Sequence, residues 1–458
     1  MQREKYDVVV VGSGMGGMCS GALLVKEGYK TLVVESRQRL GGRFSTVEKD
    51  GFKMATGAIY VHMSGWVPKV MKELGIKNVE LREVPELIYR RGGKDYSLTG
   101  KGRIRALLDI LSETDVQRAK LVGALAKEVA GEKIMNAFRQ AVSQPKKHKS
   151  ALTVREWLLQ YTDDQDVHDI FDLYSVGFGL AHNWELPATE LFALMAGTGG
   201  VSDAWMLPQG NVVLMEEMAK IVKTNGDVWT ECPAKRIVVN KGTATGVVVE
   251  KDGKEVEIAC KVVVSNVGPK ATVELAGSEN FNEEYLKEMR MKLRPQPFVL
   301  IYVASDKPLC LEEGQHGAFM VTGTRRITGG QPMTNTCPEL APPGQHLLYT
   351  WGFPTSTLLP MDEEYEIQQC MRELKEVFPD FEKHGRILNI EARNIDHDLP
   401  GGRAWATPAY LMRRETPVQN LLNVGDAVCT PGLFGTSGCA EGATRIVKSI
   451  KQKIKPGK

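Results

Sequence analysis

Four consecutive valines, Val8 to Val11, open the most regular stretch of this 458-residue chain. An unbroken β-branched run marks a strand covered on both faces, as in a parallel sheet; an alternating pattern would mark one wet face. The run stops at Gly12-Ser13-Gly14-Met15-Gly16-Gly17, continues with helical spacing, and returns as Leu32-Val33-Val34-Glu35. This predicts a strand, a glycine turn, a helix and a second strand closing on an acid. Gly12 permits the tight turn, Gly14 lets backbone approach a diphosphate, and Gly17 lets the helix lie close to the strand. The N–H groups that start the helix are free to meet phosphate oxygens. Glu35 follows Gly17 by eighteen positions, near the roughly 20-residue offset of a carboxylate that binds an adenosine ribose. Its charge would repel a 2′-phosphate.

Two later stretches carry related patterns. Pro208-Gln209-Gly210 leads into an amphipathic helix with Leu214, Met218 and Ile221 on one face, which Gly226 ends. Strands are expected at 228–230, 237–239, 245–250 and 255–260, the last two joined by a Lys251-Asp252-Gly253-Lys254 turn. Val262-Val263-Val264 is another buried strand. The second stretch, Asn420 to Ala427, reads as a strand ending in Gly425-Asp426, followed by a loop with Gly432, Gly435 and Gly438 and a helix from about 437 to 451. Between these lie a helical pattern (67–74, 104–111, 119–128, 134–141, 153–160, 167–176) and a mixed one (strands 298–304 and 346–351, helix 363–377). The fold class is therefore α/β: a Rossmann-like nucleotide-binding domain of parallel sheet plus β-meander (1–65, 205–270, 395–458), interleaved with a mixed α+β substrate domain (66–204, 271–394).

Composition narrows the function classes. A net charge of +2 makes no case for nucleic acid, and 42% hydrophobic with 25% charged residues describes an ordinary globular protein. No apolar run spans a bilayer and no signal peptide precedes the first strand, so a cytoplasmic location is expected, with contact at a membrane surface left open. Eight cysteines without a C-x-x-C pair form neither a zinc site nor a disulfide framework; Cys429 and Cys439 are read as packing residues.

Directly after Glu35 and Ser36 comes Arg37-Gln38-Arg39-Leu40-Gly41-Gly42-Arg43-Phe44-Ser45-Thr46. With this second glycine pair and its arginine, the chain resembles the FAD-binding superfamily of amine oxidases and phytoene-desaturase-like enzymes. The resemblance implies that FAD is the cofactor, and that Gly41, Gly42 and Arg43 run past its pyrophosphate and flavin. It implies that backbone around Ala234 meets the adenine, that Asp426 bonds the ribityl chain, and that the helix near Ser437 points at the flavin pyrimidine. A helix N-terminus there would stabilise the negative charge of reduced flavin. Thr56-Gly57-Ala58-Ile59-Tyr60-Val61-His62 resembles an amine-oxidase segment on the flavin-facing strand, which makes Gly57 and Ala58 flavin contacts.

The implied reaction is hydride transfer with flavin N5. Apolar insertions and the segment Thr336 to His346 favour a carbon–carbon bond (desaturation, saturation or isomerisation) in a hydrophobic small molecule. The alternatives are oxidation of a C–N bond in an amine or amino acid, and a flavin carrier without catalysis. Against amine oxidation, Arg294-Pro295-Gln296-Pro297-Phe298-Val299 lacks the lysine many amine oxidases place near N5. Candidate proton carriers are His62, Tyr60 and Glu441. The electron acceptor or donor and the oligomeric state are left undetermined.

Overall fold

The computed structural model describes residues 5–97, 115–141, 152–197, 203–311, 314–323, 326–399 and 402–457. Five parallel strands form its first sheet, in the spatial order Gly226–Trp229, Thr31–Val34, Val8–Val11, Val262–Ser265, Leu421–Asn423. Numbered along the chain, that order is 3-2-1-4-5, the doubly wound arrangement in which the direction of winding reverses between the first and fourth strands. Val8 pairs with Thr31 on one side and Val262 on the other, so residues more than 250 positions apart lie side by side.

Alternation along the first strand sorts the two layers around the sheet. Val8 and Val10 face helices Met15–Lys26, Val212–Val222 and Gly435–Lys453, whereas Val9 and Val11 face the meander Ala234–Asn240, Thr243–Lys251 and Lys254–Ala259. All four are 0–3% exposed, and each contributes roughly 1.5–3 kcal/mol by leaving water. The parallel run read in the sequence is thus a central strand.

A second sheet has seven strands, in the order Gly385–Arg393, Phe298–Ser305, His346–Gly352, Ile327–Pro332, Ala318–Val321, Leu87–Arg91, Lys94–Ser97. Its last two strands correct the purely helical expectation for residues 66–204. They form a hairpin over Gly92-Gly93, both at positive φ, a turn signal present in the sequence. The helices expected at 119–128 and 134–141 are one helix, Asp115–Ala141, because Gly131 inside it costs only about 1 kcal/mol relative to alanine. Gly226 starts a strand instead of ending a helix. The expected helix 104–111 lies outside the described residues. Elsewhere the helices match the pattern: Trp66–Leu74, Val154–Leu158 with a Thr153/Glu156 capping box, Gln165–Gly179 and Glu363–Val377.

Gly17 shows how tightly the first turn is built. A Cβ placed there would lie 2.0 Å from the Gly12 carbonyl oxygen, which only backbone displacement could relieve. Gly17→Ala is expected to lower stability by about 1–3 kcal/mol, the cost of overpacking, read as a shift in the urea-unfolding midpoint; an unshifted midpoint would show that the turn has slack.

Candidate active site

A cavity of about 1160 Å³ opens at the carboxyl ends of the parallel strands and extends across to the seven-stranded sheet. It lies beside the reversal between Val8–Val11 and Val262–Ser265, where open α/β sheets bind ligands. Its volume exceeds the roughly 300–1,000 Å³ of an ordinary small-molecule site, leaving room for a dinucleotide and a second molecule.

At one end the wall is polar. Gly12, Ser13, Gly14, Met15 and Gly16 line it, as do Glu35, Ser36, Gly41, Gly42 and Arg43. Gly17 does not: it acts through packing alone. The two glycine loops run back to back, with Gly41 N–H donating to the Ser13 carbonyl at 3.1 Å. Helix Met15–Lys26 has no side-chain cap and no acid in its first turn, so its N-terminal N–H groups are available to an anion. Glu35 is buried and accepts from Ser13 N–H (3.0 Å) and Oγ–H (2.5 Å) through one oxygen, and from Arg37 N–H (2.9 Å) and Ser36 Oγ–H (3.2 Å) through the other. Four donors hold it at the mouth of the turn.

Arg43 and Asp426, from opposite ends of the chain, meet at 2.7 Å in this wall. Burial opposes the charge on Asp426, but Arg43 and Arg403 overcome it and hold the carboxyl below its ordinary value. Burial likewise works against charge on Arg43, and Asp426 more than offsets it. Arg403, which the sequence reading did not single out, supplies a second cation beside one carboxylate. Among the glycine loops, an uncapped helix start and two guanidiniums, a diphosphate finds the donors it requires. These residues fit FAD.

The other predicted contacts are distributed unevenly. Ala234 lies on the lining with Pro233 and Lys235, and Gly425 beside Asp426. Ser437 lies there too, on the first turn of the last helix, but its hydroxyl oxygen accepts the Trp66 N–H at 3.0 Å. Gly57 and Ala58 line the cavity with their carbonyls taken, by Tyr349 Oη–H (3.1 Å) and Asn211 Nδ2–H (2.8 Å). Asn266, also missed from sequence, packs against Gly14 and donates to the Val424 carbonyl at 2.9 Å, tying the first loop to the last strand.

Away from the phosphate end the wall becomes apolar: Val176, Phe178, Leu194, Phe298, Leu300 and Trp351 belong to it. Tyr60 faces this half, but its hydroxyl donates to Gln331 Oε1 at 2.7 Å and burial pushes its pKa far up. His62 lines the cavity, its Nδ1 is buried without a partner among the described residues, and burial lowers its pKa against the opposing charge of Asp203. It stands as a neutral imidazole. Glu441 corrects the third expectation: it is absent from the lining, 2% exposed, and accepts from Thr430 (2.6 Å), Arg414 (3.3 Å) and Arg445. Its carboxylate cross-ties the last helix to the loop before it, a role that the dipole argument at the helix start could not reveal. Cys439 reaches the cavity wall, while a hydrogen bond with Cys439 and then burial push the Cys429 thiol well above its usual value. Both fit the packing role.

Residues 15–443 match the profile of the family described as flavin containing amine oxidoreductase. An uncharacterised protein of Methanocaldococcus jannaschii is 24% identical over 453 residues, covering 96% of this chain and 98% of its own. The flavin-containing amine oxidase B of Bos taurus is 38% identical over 99 residues, 21% of this chain and 19% of that one. All-trans-retinol 13,14-reductase of Macaca fascicularis is 25% identical over 299 residues, 58% of this chain and 48% of that one. Among solved structures, an oxidoreductase from Methanosarcina mazei superposes with a TM-score of 0.79 at 23% identity (96% and 100% of the two chains), and a putrescine oxidase with 0.73 at 16% (98% and 99%).

Removing the carboxylate by Asp426→Asn should cost about 1–2 kcal/mol at pH 7, between an exposed ion pair and a fully buried one, because both side chains are partly buried. Because the folded carboxyl is held below its ordinary value of 3.8, the stability it lends is complete above that value and lost as pH falls through the depressed one. Urea unfolding of both proteins should show a constant gap from pH 7 to about 4 that narrows below. A gap that already closes at pH 6 would mean another group carries it.

Proposed function

Because the chain belongs to the flavin-containing amine oxidoreductase family and is thereby an FAD-dependent oxidoreductase, we propose that it acts on a carbon–carbon bond of an uncharged, apolar substrate. FAD, when bound, supplies the two-electron chemistry by exchanging hydride at N5. The protein's own contribution is a cradle for the dinucleotide, a dry compartment and a histidine, His62, on its wall.

The observation that carries this reading is the distribution of charge along the wall. Among the described lining residues, the acids other than Glu35 and Asp426 are Glu274, Asp396 and Asp398, all exposed, and the lysines are the exposed Lys235 and Lys270. The apolar half therefore holds no buried carboxylate for an ammonium, whose desolvation would go uncompensated. Leu300 and Phe298 occupy the strand facing the cavity, and no lysine stands in it. Of the two histidines on the lining, His397 accepts the Leu399 N–H through Nδ1, whereas His62 Nδ1 is buried without a partner among the described residues; His62 is therefore the one placed to hold or release a proton there near neutral pH. The relative named retinol reductase supports carbon–carbon chemistry in the same family.

A second reading, oxidation of a C–N bond, is favoured by the family's description and by the putrescine oxidase likeness. The two are separated by anaerobic titration of the holoenzyme, reading flavin absorbance against a panel of polyenes, enoyl compounds and unsaturated lipids on one side and primary amines on the other. Spectral reduction by amines, with none of the unsaturated compounds oxidised or reduced in turnover, would overturn the first reading. His62→Ala should retain FAD and lose roughly tenfold or more in turnover, the low end for a positioned acid or base. Unchanged kcat across pH 5–9 would remove His62 from proton handling.

A further inference from the structure

Helix Gln165–Gly179 ends at Leu180, whose φ of +54° lies in the left-handed region that a leucine occupies only where its surroundings over-determine it. A histidine two residues on supplies the restraint. His182 is 3% exposed, with Nδ1 2.8 Å from the Asp172 carboxylate, back along that helix, and Nε2 2.8 Å from the Pro354 carbonyl. The other Asp172 oxygen accepts the Asn183 N–H at 2.6 Å. Gly177, Phe178, Gly179 and Leu180 line the cavity from the helix side, and Phe353, next to Pro354, lines it just beyond strand His346–Gly352. One side chain therefore joins two walls of one compartment.

Both ring nitrogens face oxygens that only accept, a carboxylate and a peptide carbonyl. A neutral imidazole has a single N–H, so it would satisfy one oxygen and turn a lone pair on the other. The imidazolium satisfies both. Burial opposes that charge, but the bond and charge of Asp172, the Pro354 carbonyl and Glu185 outweigh it and raise the pKa. The charged groups facing the ring are Asp172 from the helix and Glu185 from its own loop; His168, one turn before Asp172, directs Nε2 to the Thr162 carbonyl. Trp184 covers the ring, 4.2 Å between centroids and 6° between planes. Glu185 accepts from Ser356 Oγ–H (2.6 Å), Thr357 N–H (2.9 Å) and Thr357 Oγ–H (2.7 Å), which anchors the far end of that loop whatever the state of the histidine. His182 governs the Pro354 end.

We propose that His182 is a positioning residue of the apolar compartment: its imidazolium holds the Phe353 wall against the Phe178–Leu180 wall, and its neutral form lets the Phe353 wall go. This rests on reading the apolar half as the place where substrate binds. The ring's ordinary value is 6.5 and the folded one is higher, so the tie is complete below 6.5 and is lost as pH rises through the raised value. Apparent affinity for an apolar ligand scales with the fraction of protein whose wall is closed, and falls with it. His62 acts at the other end of the range, because burial lowers its pKa.

Asp172→Asn makes the decisive comparison. The amide has the shape of the carboxyl: its oxygen still accepts the Asn183 N–H, while its NH2 donates to Nδ1 of a neutral ring whose Nε2–H stays on Pro354. The tie then survives without the extra proton. Geranylgeraniol, uncharged throughout, is titrated into both holoenzymes from pH 6 to 9.5 while the perturbation of flavin absorbance is followed. Wild-type affinity should fall about threefold to tenfold across the range, the order of one hydrogen bond, and that of Asp172→Asn should stay level. His182→Ala should bind weakly at every pH; should it fail to fold, the Asp172→Asn comparison decides. Trp184 emission, taken as the difference from Trp184→Phe, should rise over the interval in which wild-type affinity falls, because an imidazolium quenches a stacked indole more strongly than a neutral ring. In Asp172→Asn it should not titrate there. Level wild-type affinity, or a fall with pH that persists in Asp172→Asn, would overturn this inference and leave the reaction assigned above standing. Geranylgeraniol that perturbs the flavin in neither protein at any pH, with the indole titration intact, would sink the compartment and with it the role given to His182.

Discussion

Parallel pairing of Val8–Val11 with Val262–Ser265 is the constraint on which the rest of the molecule depends. The four valines are buried on both faces, so this strand can exist only where a helical layer and the β-meander cover it simultaneously. Helix Met15–Lys26 follows the strand directly, but the rest of the helical layer and the whole meander come from chain far downstream, so the site is complete only when they are in place. Once Val262–Ser265 is in place, Asn266 at its end packs on Gly14 and bonds the Val424 carbonyl. One side chain thereby couples the phosphate turn, the fourth strand and the fifth. Asp426 follows directly, and with it the partner of Arg43.

That geometry explains why charge concentrates at one end of the cavity. A cation in a low-dielectric wall requires compensation, and Asp426 gives it to Arg43 with Arg403 close by. Two guanidiniums around one carboxylate leave a wall still suited to anions, which matches the uncapped start of helix Met15–Lys26. The polar end is thus specified by the ligand's phosphates, and the apolar end is free to vary with the molecule acted on.

Legibility in the sequence follows the same division. The turn at Gly12–Gly17 and the strand ending at Asp426 were readable because each imposes a local rule: a continuous β-branched run, a backbone with no room for a side chain, an acid at a fixed offset. Arg403, Arg393, Gln296 and Asn266 follow no such rule. Arg393 lies in an unremarkable strand, and its place on the cavity lining arises only when register sets it against Phe298. The hairpin Leu87–Arg91/Lys94–Ser97 had a local signal in Gly92-Gly93 that the surrounding helical pattern outweighed. Glu441 illustrates the opposite case: its position on the last helix was legible, but its direction is set by Arg414 before the fifth strand, Thr430 in the loop before that helix and Arg445 one turn on.

Chemical quietness in the apolar half has a physical basis of its own. Water admitted beside the reacting carbon would solvate charge and open side reactions, so exclusion of polar groups serves the chemistry. The tyrosines there obey this: Tyr60 and Tyr349 both turn their hydroxyls into internal bonds and present ring faces and edges to the cavity. A wall whose hydroxyls are tied off makes an unpaired buried polar atom the exception that calls for a reason. His62 Nδ1 is such an atom among the described lining residues. The cavity thus joins a polar end whose donors suit the dinucleotide phosphates to an apolar end whose tyrosine hydroxyls are internally bonded, and that division is what keeps the second half dry.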